Sequence, residues 1–238
     1  MNEVRHLMVE FTRFAQALDA APDEAARVHV AVRSSVALVS GCEHAGFTVN
    51  EGGRLFTEVG SDDLVSRADI LQSELSEGPC LDVMRDQDAL VSNDLTQEHR
   101  WPRWASRVHA ELGFGSMMSL FVYASRRSYG ALSLYADQRH RFDGEDLAVA
   151  QALAAHLAVT IDGGRQIDQL KVAMDSRTII GQAQGLLMGR LEIDADQAFD
   201  YLRRISSHSN RKLAVVAMEI VRTRQLPSRP REMASVAS

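Results

Sequence analysis

From Leu170 to Arg190 the chain reads LKVAMDSRTIIGQAQGLLMGR, from Ala198 to Ser206 it reads AFDYLRRIS, and from Asn210 to Ala217 it reads NRKLAVVA. Apolar residues return at helical spacing in each run: Leu170, Ala173, Met174, Ile180, Ala183 and Leu187, then Ala198, Phe199, Leu202 and Ile205, then Leu213, Val216, Ala217 and Ile220. Steps of three and four put each set on one side of a helix. Asp194 and Asp196 stand just ahead of the second set, where an N-cap carboxylate takes hydrogen bonds from the unpaired amides of the first turn. Ser207-His208-Ser209-Asn210 is expected to open the third helix in the same way. Three short helices with one apolar stripe each must pack on one another. Met188 and Phe199 are assigned to that core, and Gly181, Ala183 and Gly185 read as close-packing positions.

The rest of the chain has room for one further domain. Of 238 residues, 45% are hydrophobic and 24% charged, so a globular core is expected. Cys42 and Cys80 form no disulfide framework and have no metal-ligand spacing. No apolar run approaches the ~20 residues of a membrane span, and the first residues lack a signal-peptide core. A cytoplasmic protein without a membrane partner is expected. From Arg165 onward there are twelve Lys and Arg against eight Asp and Glu, a balance of +4, while the remainder carries −10 of a total of −6. A mildly basic end on an acidic body suits a polyanion at one end.

Toward the N-terminus the pattern predicts a helix over 3–19 with Leu7, Phe11, Phe14 and Leu18 on one face. A second follows over 23–39, with Pro22 at its first position and Gly41 closing it. His44–Asn50 and Arg54–Val59 around Glu51-Gly52-Gly53 read as a hairpin. A helix is expected over 63–75, a helical turn over Leu81–Asp86 and a strand over Ala89–Asn93. Trp101–Glu111 reads as a helix burying Trp101, Trp104, Val108 and Leu112. Strands Met117–Tyr123 and Tyr129–Tyr135 flank a polar turn at Arg126–Ser128. Asp143 caps a long helix lined by Leu147, Ala150, Leu153, Ala154, Leu157 and Ile161. The fold class is α+β: an antiparallel sheet flanked by helices, then a long helix, then the all-α trio. Leu157, Ile161, Ile167, Leu170 and Met174 continue a three-four spacing across Gly163-Gly164, which suggests a coiled-coil seam between two chains. The expected segments are an N-terminal helix (1–21), the α+β domain (22–162), a helical linker (163–169), the trio (170–224) and a polar, Pro-containing disordered tail (225–238).

The motifs SRxxIxxAxGxLM, AFxxLRRxS and NxKLxxVA, from Ser176 to Ala217, resemble an ANTAR domain, the three-helix RNA-binding module of transcription antiterminators. Glu77-Gly78-Pro79-Cys80-Leu81-Asp82, Asn93-Asp94-Leu95 and Arg100-Trp101-Pro102 are similar to motifs of actinobacterial GAF domains joined to ANTAR domains. The resemblance implies a regulator that binds tandem RNA stem-loops as a homodimer under control of a GAF-like sensor. In the ANTAR-like motifs the RNA candidates are Arg177, Gln184, Arg203, Arg204, Ser206, Asn210, Arg211 and Lys212. A guanidinium bridges a phosphate or stacks on an exposed base, and a helix N-terminus offers free amides to a phosphate. Asn210 has capping of the third helix as its other reading.

GAF pockets generally lie between the sheet and a capping helix. Here that implicates Leu75–Val91 and Met117–Tyr123, with Cys80, Leu81, Met117 and Phe121 as candidate contacts for an unknown small molecule. For Cys80 the reading as a small buried hydrophobe is the favoured one. Neither a cyclic-nucleotide signature nor the Cys-His pair of a bilin-binding GAF domain is visible. No hydrolase constellation, Cys-x-x-Cys or phosphate loop stands out, so no enzyme, cofactor or metal is expected. The alternative is a DNA-binding or purely small-molecule-sensing dimeric regulator, since three short helices also suit a helix-turn-helix.

Overall fold

In the computed structural model of the protein, residues 2–124 and 128–224 are described. The chain divides into two compact units, Met1–Arg165 and Gln166–Ser238. The first unit opens with two helices, α1 (Asn2–Ala20) and α2 (Glu24–Leu38). Asp23 caps α2, its carboxylate accepting from the Ala26 amide at 2.8 Å. Pro22 therefore stands one residue before the cap rather than inside the helix. Val39, not Gly41, ends α2.

Five strands form one antiparallel sheet in the order β2-β1-β5-β4-β3. They are β1 (His44–Glu51), β2 (Arg54–Gly60), β3 (Ala89–Ser92), β4 (Ser116–Ala124) and β5 (Ser128–Ala136). The β1–β2 hairpin turns at Gly52 and Gly53, with φ of 62° and 90°. Both central residues of such a tight turn need positive φ, which glycine adopts without strain. The polar turn expected between β4 and β5 falls on 125–127, and the tail on 225–238, both outside the described residues.

Between β2 and β3 lie α3 (Asp63–Leu75) and α4 (Pro79–Asp86), and between β3 and β4 lies α5 (Pro102–Leu112). Side chains alternate across the sheet. Met118, Leu120, Leu132 and Leu134 face a core shared with Phe14, Leu18, Val28, Val32, Leu153 and Leu157. Met117 and Tyr135 face the other way, toward Val65, Ala68, Trp104 and Val108. The sheet is thus covered on both faces, with α3, α4 and α5 on one side and α1, α2 and the long helix on the other.

That long helix, α6 (Gly144–Leu191), is a single 48-residue element. It starts as expected: Asp143 Oδ1 accepts from the amides of Glu145 and Asp146 at 2.8 and 3.0 Å. It does not stop at Gly163-Gly164. Each glycine costs ~1 kcal/mol relative to alanine, but propagation gains a hydrogen bond per residue, and Arg165 forms an ion pair with Glu24 one residue later. The first short helix of the expected trio is therefore the end of α6. The proposed seam also divides. Leu157 and Ile161 are buried in the first unit's own core, whereas Ile167, Leu170 and Met174 are 54%, 64% and 68% exposed. By length and composition α6 is apolar enough to cross a membrane, with an 18-residue window of mean hydropathy 1.3, in contrast to the expectation of no such run. Its apolar face Ala150, Leu153, Ala154, Leu157 and Ile161 is occupied by the domain core.

In the second unit α7 (Ala195–Ser209) and α8 (Leu213–Thr223) complete the trio. Ala183, Leu187, Ala198, Leu202, Val216, Ala217 and Ile220 form its buried core. Met188 and Phe199 do not belong there: they are 38% and 39% exposed. The trio buries only a narrow stripe of each helix, and these two sit at its margins. Gly181 and Gly185 are exposed, with open space where a Cβ would stand, so close packing does not explain them.

Candidate functional site

The trio positions its polar residues through its turns. Asp194 caps α7 in a capping box: its Oδ1 accepts from the Gln197 amide at 2.8 Å, and Gln197 Oε1 accepts from the Asp194 amide at 3.2 Å. Gln184 is half-buried on α6, and its Nε2 donates to the Ala195 carbonyl at 3.1 Å. The geometry gives Gln184 a tie between α6 and the start of α7.

The second turn differs from the sequence reading. Ser207–Ser209 continue α7, and Asn210 ends it in the left-handed region at φ 50°, its amide directed at the Ser206 and Ser207 carbonyls. Asn210 therefore C-caps α7 and does not N-cap α8. Asparagine tolerates this conformation better than most residues. Lys212 takes the N-cap position of α8 with no side-chain capping bond. Ser206 Oγ donates to the Arg211 carbonyl at 2.6 Å, which fixes the turn.

Arg177, Arg203, Arg204, Arg211 and Lys212 are all exposed. Arg203 pairs with Asp200 at 3.0 Å and Arg211 with Glu219 at 2.7 Å. Both pairs are solvent-exposed, so each is worth ~0–1 kcal/mol and yields to a phosphate. Among the described residues Arg177, Arg204 and Lys212 have no carboxylate partner. Helical steps place Phe199, Arg203, Ser206 and Asn210 along one flank of α7, and Arg204 with His208 along the opposite one. The eight sequence candidates are thus not one cluster. Arg203, Ser206 and Asn210 share a flank, Arg211 and Lys212 continue it into the turn, Arg177 stands on α6, and Gln184 faces inward.

In the first unit the face of the sheet beneath α3 and α4 carries a buried polar cluster. Asp69 is 1% exposed, and its Oδ2 accepts from Thr48 and Thr57 hydroxyls, each at 2.5 Å. Gln72 Nε2 donates to Asp69 Oδ1 at 3.1 Å, while Gln72 Oε1 accepts from the Cys80 amide at 2.8 Å. Cys80 Sγ lies 3.2 Å from Ser133 Oγ, which lies 2.9 Å from Ser119 Oγ. Burial disfavours the carboxylate and pushes the Asp69 pKa up, against four hydrogen bonds that pull it down. Burial likewise pushes the Cys80 thiol up to about 12, helped by the Asp69 charge. A thiol held in this way is neutral and unreactive. Among the described residues the neighbouring buried Tyr135 hydroxyl has no hydrogen-bond partner. Gly78, at φ 150°, opens α4, and a Cβ there would run into Gln72.

Of the ligand candidates, Cys80 and Met117 are fully buried, and Leu81 and Phe121 are half-buried. Cys80, Leu81 and Phe121 share one apolar cluster with Val83, Met84 and Ala131, while Met117 packs with Phe114 and Tyr135 in another. The sequence reading missed Asp69 and Gln72. Their signal was spacing: Val65, Ala68, Asp69 and Gln72 follow the helical period, which places a carboxylate and an amide on the apolar face of α3. Among the described residues no group of three or more His, Cys, Asp or Glu is placed to hold a metal.

A family model for the GAF domain matches residues 14–162, and one for the ANTAR domain matches residues 168–221. No curated protein matches the chain at a significant level. Among solved structures, the GAF domain of a phosphoenolpyruvate-protein phosphotransferase from Coxiella burnetii aligns over 71% of this chain and 99% of its own, at 14% identity and TM-score 0.52. An N-acylhomoserine-lactone-dependent LuxR-family transcription factor from Burkholderia cenocepacia aligns over 67% and 95%, at 16% identity and TM-score 0.53. Free methionine-R-sulfoxide reductase from Neisseria meningitidis aligns over 66% and 88%, at 13% identity and TM-score 0.51. At such identities the likeness is one of fold.

Proposed function

We propose, for a chain that belongs to the GAF domain family and carries an ANTAR domain after it, a role as an RNA-binding regulator of transcription antitermination. Both domains are of regulatory rather than catalytic kinds, and a regulator of this kind accounts for the pairing. The ANTAR trio takes paired stem-loop RNA, and the GAF domain governs it in response to a small molecule. The observation that carries the reading is the exposed cation set on the module, with Arg177, Arg204 and Lys212 free of carboxylate partners among the described residues. Arg177, Arg203, Arg204, Arg211 and Lys212 contact RNA directly. Ser206 and Asn210 hold the turn that presents Arg211 and Lys212, and Gln184 holds the helices in register.

Two copies act together in this reading. Ile167, Leu170 and Met174 form an exposed apolar stripe at the spacing of a two-chain seam, and pairing it with a second copy removes it from water. Tethering two modules raises the effective concentration for a second stem-loop. On the sensor side, a ligand between α4 and the sheet touches Cys80, Leu81, Met117 and Phe121, and acts by its differential affinity for two states of the chain.

Competition on the full-length chain tests this. A labelled tandem stem-loop RNA is challenged with unlabelled stem-loop RNA or with duplex DNA of equal length. Displacement by RNA alone is expected. Equal displacement by duplex DNA converts the module into a DNA-binding one, and absence of binding to either leaves a purely small-molecule-sensing dimer.

A further inference from the structure

Phe199 stands in the apolar repeat of α7, between Ala198 and Leu202, which are both fully buried. Phe199 itself is 39% exposed. From residue 166 onward the sequence holds only two Phe, Tyr or Trp residues, Phe199 and Tyr201. Tyr201 is half-buried and packs on the trio's core, so Phe199 is the one exposed aromatic side chain of this unit among the described residues. Its flank is polar and cationic. Arg203 lies one turn farther along the same flank and Ser206 two turns farther, and the flank ends at the Asn210 turn that leads into Arg211 and Lys212.

We infer that Phe199 is a stacking platform for an unpaired base of the RNA loop, with Arg203 reaching the sugar-phosphate beside it. The inference rests on the RNA reading above and names the part of the ligand that this flank takes. An aromatic face left in water gains little until something flat covers it, and nucleobases offer such a face whatever their identity. Cations alongside select a polyanionic owner for that base over an apolar peptide. Sequence-selective RNA recognition generally works on splayed loop bases laid on aromatic rings and guanidinium planes. The Arg203–Asp200 pair does not prevent this, because it is exposed and exchangeable.

The test uses the full chain and an RNA hairpin selected by the wild-type protein from a pool with a fixed G-C stem and a randomised loop. Phe199→Leu keeps an apolar side chain on α7 and removes the ring face. Its affinity for the selected hairpin falls ~5- to 100-fold, the range for loss of one stacked base. The slope of log affinity against log salt stays that of wild type, because no phosphate contact is lost, whereas Arg203→Ala lowers that slope by ~0.7–0.9. Phe199→Trp restores binding. An abasic site at the stacked loop position weakens wild type and leaves Phe199→Leu unchanged, a non-additivity that a purely structural role does not produce. Wild-type affinity in Phe199→Leu with unchanged circular dichroism overturns the inference. So does a change of oligomeric state in sedimentation, which assigns the ring to a contact between two copies. If the wild type selects no hairpin at all, the RNA reading itself falls and this inference falls with it.

Discussion

Replacing Lys212 by alanine probes the candidate interface without disturbing the fold. Lys212 is exposed, and its side chain makes no capping bond. Its carbonyl, which accepts from the amides of Val215 and Val216 at 2.9 and 3.2 Å, is untouched by the change. The expected loss is therefore electrostatic. Each neutralised phosphate contributes ~0.7–0.9 to the slope of log affinity against log salt. If the three cations without partners engage, the slope is about −2 to −3, and affinity falls ~20- to 40-fold per module between 50 and 200 mM salt. If Arg203 and Arg211 also leave their carboxylates, the slope reaches about −3.5 to −4.5 and the fall ~100- to 500-fold. Lys212→Ala should remove one contact's share, cutting the salt penalty ~3-fold over that interval. Fluorescence anisotropy of a labelled hairpin across a salt series reads these slopes, with circular dichroism confirming unchanged helicity. A flat wild-type salt response refutes the cation argument, and an unchanged slope in Lys212→Ala removes this residue from the interface.

Leu202→Ala empties a fully buried site in the small trio and should cost ~2–5 kcal/mol there, a large share of what three short helices hold. Because Trp101 and Trp104 both lie in the first unit's core, tryptophan fluorescence should melt as in wild type while helical circular dichroism is lost early; joint loss of both signals contradicts independent cores. Asp69→Asn tests the buried carboxylate. A folded pKa raised above the unfolded value stabilises the protein fully below the unfolded pKa, near ~4, and that contribution is lost as pH rises through the folded pKa. Wild type minus Asp69→Asn in Tm should therefore shrink as pH rises from about 4, and a difference that grows with pH contradicts a raised Asp69 pKa.

Elements bounded by local chemistry were legible in the sequence. The span of α3 follows from its unbroken apolar stripe over 63–75, and Asp62 caps it, its carboxylate accepting from the Leu64 amide at 2.9 Å. The β1–β2 hairpin follows from Gly52-Gly53, and the start of α7 from Asp194 just ahead of its stripe. Elsewhere context outweighed propensity. Gly163-Gly164 marks the domain junction and weakens a helix locally, yet α6 runs through as the helical linker requires, because two weak positions inside a long helix cost less than ending and restarting it. Ser207–Asn210 looked like an N-cap cluster, yet Ser209 bonds back to the Ile205 carbonyl and Asn210 closes the previous helix. For the site, charge and exposure were readable for Arg177, Arg203, Arg204, Arg211 and Lys212. The inward turn of Gln184 and the outward lean of Phe199 were not, because periodicity locates a stripe but not its width. The cluster around Asp69 stayed hidden because it is assembled from β1, β2, α3, α4, β4 and β5, which only the tertiary fold brings together.

That same assembly bears on the proposed entry of a small molecule into the first unit. Asp69, Gln72 and Cys80 stitch α3 to α4 and both to the sheet, so prising α4 away strands the Cys80 amide and thiol, the Gln72 side chain and the Ser133 hydroxyl at once. A purely hydrocarbon guest would leave all of them unanswered, at ~1–3 kcal/mol apiece. Under the proposed sensor role, a molecule carrying its own pattern of polar atoms is therefore favoured, and chemistry selects before size does.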